Sequence, residues 1–197
     1  MKEPTNASPK TSRRFGAFPS LGVALALAAC GGGDDGAERS PAAADSPDLA
    51  GRVFLAQRPA DETPVAEVLA APKGGETVAV TGRIGGVVEP FGKGYAVFFL
   101  ADESLVFCDE MSEPDHCPTP WDACCEDPDK IRANRLLVRF ADDSGDVLPF
   151  GLKGLGGLAP NDRVVVRGKA VEADAGGGTV IEAEGLWRIG KTSGQAG

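Results

Sequence analysis

Alternation of apolar and polar positions predicts five strands in the C-terminal part of the chain. In TVAVTGRI, residues 77–84, every second residue is apolar or small, which is typical of a strand with one buried face. Residues 95–100, 136–141, 162–171 and 179–189 either repeat this period or are apolar throughout. Glycines and aspartates separate these segments, and such residues favour turns. The pattern therefore predicts an all-β domain.

One short helix is predicted before the first strand. Thr63 and Pro64 have the sequence of an N-cap followed by a first-turn proline, and VAEVLAA supplies the helix. In the last strand, the alternation predicts that Ala183, Trp187 and Ile189 share a face with Ile181. Residues 147–158 are apolar and glycine-rich and indicate no particular element. Closing the strands into a barrel predicts a core of valine, isoleucine and tryptophan: Val78, Val80, Ile84, Val164, Val166, Ile181 and Trp187.

The first 29 residues have the three zones of a secretory signal. Residues 1–14 are polar and basic, residues 15–29 carry no charge, and small residues precede Cys30. The sequence LAAC followed by glycine resembles the lipobox of bacterial lipoproteins. In that family a diacylglyceryl group joins the cysteine thiol, and a peptidase cuts before it. The resemblance implies a palmitate-bearing Cys30 and an anchor outside the cytoplasm, at the outer membrane or the periplasmic face. Arg13-Arg14 is similar to a twin-arginine signal but lacks its spacer residue, so the export route stays open.

The rest of the chain divides by composition. Residues 30–58 are predicted to be the lipidated cysteine followed by a flexible tether, because glycine, alanine, proline and acidic residues dominate the first part of this segment. Residues 59–190 are predicted to form the folded domain, with an acidic, cysteine-rich insertion at residues 102–135. Residues 191–197 are predicted to be a tail. Without residues 1–29 the chain has 16 basic and 28 acidic residues, a net charge of −12. Such a charge repels nucleic acid on average.

The order of three strands, an irregular segment and two strands resembles the OB-fold, especially the tRNA-anticodon and helicase type. The segments VAVTGRI, YAVFFLAD and LAPNDRVVVRGKA carry this resemblance, which covers roughly residues 77–189. It implies a small OB-like barrel of five to six strands with a short N-terminal helix. The chain departs from the family by about 30 residues between the second and third strands, where the cysteine-rich insertion lies.

The OB resemblance implies oligonucleotide or oligosaccharide binding on the barrel face. Stacking rings and cations hold single strands on such surfaces, although the same aromatic residues equally suit a core. The net charge argues against nucleic acid. We therefore expect a non-enzymatic binding or adaptor domain, without a cofactor, for a protein or small-molecule partner that the sequence does not identify. The candidate ligand residues are Tyr95, Phe98, Phe99, Arg83, Arg167 and Lys169.

Four of the five cysteines lie in the insertion with the spacing C-x8-C-x6-C-C: Cys108, Cys117, Cys124 and Cys125. Outside the cytoplasm, this number indicates two disulfides. A bond between neighbours 124 and 125 is strained, so each is expected to reach Cys108 or Cys117. The alternative is a metal or redox site using His116 and Cys117, against which the missing C-x2-C pair argues. Calcium held by the eight acids of the insertion lacks the D-x-D-x-D-G pattern.

No complete catalytic or nucleotide-binding motif is present in the sequence. The segment 86–94 has five residues between its glycines instead of the four of a phosphate loop, and Gly94 stands where serine or threonine is needed. There is no G-x-S-x-G nucleophile motif. Glu182 and Glu184 are expected to form surface ion pairs near Arg188.

Overall fold

A computed structural model describes residues 47–71, 74–111, 117–172 and 178–191. Three helices lie in these ranges: α1 (Pro47–Val53), α2 (Val65–Ala70) and α3 (Pro128–Ala133). The strands are β1 (Glu62–Pro64), β2 (Thr77–Ile84), β3 (Val97–Ala101), β4 (Arg135–Arg139), β5 (Asp162–Glu172) and β6 (Thr179–Lys191). Among the described helices, none has both the length and the apolar character that crossing a membrane requires.

Five strands close into a barrel, and a sixth is added at its edge. Their order is β2-β3-β4-β6-β5, and β5 pairs back with β2 along seven residues. Neighbours are antiparallel except β4 and β6, which are parallel. The short β1 runs parallel to β2. This closed barrel confirms the predicted all-β, OB-like fold of five to six strands.

The barrel core consists of inward-facing side chains from every strand. Phe98, Val138, Ile181 and Ala170 are cross-strand partners in one continuous row, and all are buried. Burial of each larger side chain contributes about 1.5–3 kcal/mol. Of the residues predicted for the core, Val78 is only partly buried but packs against it, and five are confirmed as buried: Val80, Ile84, Val164, Val166 and Ile181.

Trp187 does not fill the barrel, and a β-bulge is the reason. Gly168 pairs with Ala183 and Arg167 pairs with Gly185, so Glu184 is an extra residue in β6. One extra residue exchanges the two faces of a strand. Leu186 consequently faces inward and is 0% exposed, whereas Trp187 is half-buried. The predicted shared face of Ile181 and Trp187 is therefore wrong.

The N-terminal part of the folded domain begins earlier than predicted. Residues 47–53 form α1, and Val53 is completely buried in the barrel core. Phe54 continues as a parallel bridge to Leu186, and the Leu55 N–H donates to the Leu186 carbonyl over 2.8 Å. Apolar burial orders this segment despite its loop-like composition. Residues 47–55 therefore belong to the folded domain, whereas the predicted tether extends to residue 58; residues 1–46 lie outside the described residues.

The helix predicted after Thr63 forms as α2, with a different start. Thr63 lies in β1 and is paired with Val80 of β2. Pro64 is the N-cap residue of α2, and no side chain caps the helix there. The Ala66 N–H instead donates to the Asp102 carboxylate over 2.7 Å. A tertiary contact thus replaces the predicted threonine cap.

The segment that sequence left unassigned, residues 147–158, packs into the barrel core. It contains a 3₁₀ turn, Leu155–Gly157, and Val147 forms an isolated bridge with Ala141. Four leucines supply its contribution to the core: Leu148, Leu152, Leu155 and Leu158.

Candidate functional site

The cysteine-rich insertion, residues 102–134 between β3 and β4, packs through a small apolar cluster of its own. Leu105, Phe107 and Ala123 are buried against Ala101 of β3, with Ile131 at the edge. This cluster is separate from the barrel core. The insertion is therefore a folded layer on the outside of the barrel.

Arg83 joins the insertion to the barrel. Its side chain is completely buried, and its guanidinium donates to Asn161, to Asp109 and, over 2.9 Å, to Glu110. The guanidinium carbon lies 3.9 Å from the centre of the Phe107 ring. Sequence reasoning placed Arg83 on a ligand face because it alternates outward on β2. The insertion covers that position, so this prediction is corrected.

Asp109 is held in its charged form by this arrangement. Burial raises the pKa of the Asp109 carboxyl, but hydrogen bonds from Arg83 and Asn161 and the Arg83 charge outweigh it, so the pKa lies below its ordinary value. The Asn161 amide donates to the same carboxylate over 2.8 Å. Asp109 and Arg83 therefore form a partly buried ion pair.

Backbone contacts at Gly85 and Gly86 bring the insertion close to the barrel. The Gly86 N–H donates to the Trp121 carbonyl over 2.8 Å, and the Trp121 indole N–H donates to the Val88 carbonyl over 3.0 Å. A Cβ atom on Gly85 would lie 2.3 Å from the Trp121 carbonyl oxygen. Only glycine permits this approach.

Several acids of the insertion have defined partners instead of forming a solvated surface. Asp127 caps α3 by accepting from the N–H groups of Asp129 and Lys130. Glu126 accepts from the Val106 N–H over 3.0 Å and pairs with Lys130. Glu113 and Asp115 lie outside the described residues. Like-charge repulsion in the insertion is therefore partly neutralised.

The four cysteines of the insertion converge on one point. The Cys124 sulfur is 2.9 Å from that of Cys117, 3.4 Å from that of Cys108 and 3.9 Å from that of Cys125. All four Sγ atoms lie within 4.8 Å of one another. Cys108 and Cys117 are half-buried, and Cys124 and Cys125 are exposed. We call this group the thiol cluster.

Local backbone structure positions the thiol cluster. Cys108 begins a 3₁₀ turn, Cys108–Glu110, whose two acids bind Arg83. Its N–H donates to the Asp122 carbonyl over 2.8 Å. The Glu126 N–H donates to the Ala123 carbonyl over 3.0 Å, which closes a turn around Cys124 and Cys125. Backbone hydrogen bonds and ion pairs therefore position these cysteines, and these interactions do not involve sulfur.

The cysteines are free thiols in this structure. Their proximity agrees with the predicted pairing, but no bond joins them, so the two disulfides stay a prediction. Burial, together with hydrogen bonds from Cys117 and Cys124, raises the pKa of the Cys108 thiol to about 12. A hydrogen bond with Cys124 raises the pKa of Cys125. His116 and Cys30 lie outside the described residues.

The predicted aromatic ligand residues are Phe98 and Phe99 on opposite faces of β3 and Tyr95, which precedes the strand. Phe98 points inward and is completely buried, so its predicted ligand role is corrected. Tyr95 is 57% exposed. Phe99 is half-buried on the outer face, where the Arg135 guanidinium lies 4.7 Å from its ring centre.

Arg167 and Lys169 lie on β5, which is not a direct neighbour of β3: β2 lies between the two strands on one side of the closed barrel, and β4 and β6 lie between them on the other. Arg167 pairs with Glu184 over 3.2 Å. Lys169 is opposite Glu182, which pairs with Arg139. The two bases are therefore not beside the aromatic residues as predicted. Glu182 and Glu184 do form ion pairs, but the partner of Arg188 is Asp162.

Sequence reasoning missed the neighbours of Phe99 on the outer face. Leu137, Val180 and Val171 continue its row across β4, β6 and β5. With Arg135, they make a partly apolar stripe on the outside of the barrel. The alternation of RLLVR, residues 135–139, gave the signal, but it does not say which strands become neighbours.

Comparisons with known proteins identify no family for this chain. No family model matches it, and no curated protein does. Among solved structures, it is similar to a protein described as an aspartyl-tRNA synthetase from Leishmania major Friedlin, with 8% identity and a TM-score of 0.36. The match covers 71% of this chain and 23% of the other, so this chain spans less than a quarter of that protein's length.

Proposed function

We propose that the chain is an extracytoplasmic lipoprotein whose OB-like barrel binds a ligand on the outer face of β3 and β4. The lipobox LAAC supports a lipid on Cys30. The 16 residues between Cys30 and Pro47 could bridge at most roughly 55 Å. Such a distance would let the barrel reach partners beyond the membrane surface.

One observation carries the ligand face: an exposed aromatic residue precedes a strand whose outer face holds an aromatic residue covered by a cation. Val97 and Phe99 alternate on the outer face of β3. Tyr95 is exposed two residues before Val97, in a tight turn in which the Val97 N–H donates to the Tyr95 carbonyl. Arg135 lies over the Phe99 ring. The second and third barrel strands of OB-folds bind ligands on this face, and here they are β3 and β4.

A neutral oligosaccharide fits this face better than a nucleic acid. OB-folds bind both classes. The mature chain has a net charge of −12, and it lacks the cationic excess that supplies most non-specific affinity for a polyanion. Arg139 of β4, on the proposed ligand face, already pairs with Glu182, so its charge is partly offset. Aromatic side chains provide apolar contact area without needing a charged ligand.

The test titrates the purified chain with β-1,4-linked tetramers of glucose and of N-acetylglucosamine, and with a single-stranded dT oligomer. We expect binding of a tetrasaccharide and none of the dT oligomer at about 150 mM salt. Tyr95→Ala should weaken the saccharide by about tenfold, or about 1.4 kcal/mol. Calorimetry gives the three dissociation constants.

Val88→Ala is the matched control, because Val88 is equally exposed, at 58%, but lies in the loop that contacts Trp121. It should leave saccharide binding unchanged. Sub-micromolar binding of the dT oligomer would make this a nucleic-acid domain instead. Equal effects of the two variants, or no binding of either tetramer, would contradict the proposed face and ligand.

A further inference from the structure

The thiol cluster has the dimensions of a four-cysteine metal site. Tetrahedral zinc with Zn–S bonds of about 2.3 Å holds its sulfurs roughly 3.8 Å apart. The measured separations from Cys124 are 2.9, 3.4 and 3.9 Å, and none of the six exceeds 4.8 Å. Two disulfides require only that the sulfurs be close within each bonded pair. Here all four sulfurs are close to one another, as the ligands of a single ion are.

We propose that Cys108, Cys117, Cys124 and Cys125 together bind one thiophilic metal ion, with zinc(II) as its representative. Cysteine sulfur selects such soft or borderline ions over calcium and magnesium. Binding exchanges the thiol protons for the metal, so up to four protons are released and no electron is transferred.

The adjacent pair, Cys124 and Cys125, is the unusual feature of this site. Neighbouring side chains in an extended strand point to opposite faces and could not share an ion. Here both residues lie in the turn closed by the Glu126 N–H and the Ala123 carbonyl. Their sulfurs are consequently 3.9 Å apart, on the same side of the chain.

The surroundings of the thiol cluster accommodate a metal. Cys124 and Cys125 are exposed, which gives the ion a path from solvent. Arg83 pairs with both Asp109 and Glu110, and its single positive charge offsets one of their two negative charges. The repulsion between these neighbouring acids and the thiolates is therefore reduced. The contacts of Arg83 also hold Cys108 in place before any ion arrives, which lowers the ordering cost of binding.

The inference does not depend on the lipid anchor or the ligand face, and its test separates them. The full chain is made by cell-free synthesis without membranes, with reductant and zinc, so neither export nor lipidation occurs. Native mass spectrometry should find one zinc per chain. Alkylation should modify only Cys30 quickly in the zinc-loaded chain, and all five cysteines after a chelator removes the metal.

The paired variants are Cys124→Ser in the thiol cluster and Cys30→Ser outside it. Cys124→Ser should weaken zinc binding, measured against a competing chelator, by more than about 100-fold, the upper range for groups that merely support a ligand. Cys30→Ser should bind zinc like the unmodified chain. Unchanged affinity in Cys124→Ser would overturn the site.

A measurement without any substitution guards against a variant that fails to fold. The unmodified chain, refolded in air with equimolar zinc, is weighed intact. A mass that includes one zinc ion, and that returns to the mass of the fully reduced chain when a competing chelator removes the zinc, supports the metal site. A mass four hydrogens short, with no zinc, would mean that the two predicted disulfides form and the metal site does not.

Discussion

The buried guanidinium of Arg83 fixes where the cysteine insertion sits on the barrel. It donates to the acids that follow Cys108 and to Asn161, which lies in the turn before β5. Removing one partner of a buried ion pair costs far more than removing an exposed pair, because the remaining charge is left without compensation. Arg83 thus links the barrel, the turn and the thiol cluster.

Replacement of Arg83 by methionine should lower the free energy of unfolding by about 3 kcal/mol, since Asp109 would lose its buried partner. Arg163→Met provides the control. Arg163 is the cross-strand partner of Arg83, but its ion pair with Glu103 is exposed, so its loss should cost at most about 1 kcal/mol. Urea unfolding followed by tryptophan fluorescence measures both. Equal losses would show that Arg83 does not anchor the insertion.

At the scale of elements, the insertion is positioned by close backbone approach as well as by charge. The Trp121 carbonyl lies where a side chain on Gly85 would begin. The turn around Cys124 and Cys125 begins at Ala123, two residues after Trp121. A displacement at Gly85 would therefore be transmitted to the thiol cluster.

We expect Gly85→Ala to destabilise the domain by about 1–3 kcal/mol, the usual cost of overpacking, and to shift Trp121 fluorescence. Gly74→Ala serves for comparison, because an added Cβ there meets nothing within 4 Å. That change should be neutral or slightly stabilising. Thermal unfolding of both proteins measures the difference. If Gly85→Ala is as stable as Gly74→Ala, the insertion is not packed against β2 in this way.

At the scale of the whole molecule, the short N-terminal helix and the barrel form one packed structure. α1, which begins at Pro47, packs against the barrel core through Leu49, Ala50 and Val53. The barrel closes on itself, and β1 protects part of the β2 edge. Closed sheets leave few strand edges for unwanted pairing.

Lipidation of Cys30 is tested by labelling bacteria that express the chain with radioactive palmitate. The unmodified chain should carry label and sediment with membranes, whereas Cys30→Ser should carry none and remain in the soluble fraction. Cys125→Ser removes a thiol far from the lipobox and should be labelled normally. Label that persists in Cys30→Ser would refute the anchor.

The alternation of apolar and polar residues predicted the five barrel strands and most of the core, because burial of one face imposes a period of two. The strand β2 was predicted at the observed residues, Thr77–Ile84. The core was correctly predicted to include Val80, Ile84, Val164 and Val166. Residues 47–53 were missed, because their loop-like composition hides the apolar contacts that order them. The number of cysteines and the expected compartment predicted two disulfides in the insertion, but not that all four sulfurs lie within 4.8 Å of one another.

Features that depend on which segments become neighbours are visible only in the folded chain. A bulge at Glu184 moved Leu186 into the core in place of Trp187. The insertion buried Arg83, which alternation alone puts on the outer surface. The turn at residues 123–126 aimed Cys124 and Cys125 at the same point. Spacing along the chain limits which contacts are reachable, but packing and hydrogen bonding between distant segments select among them.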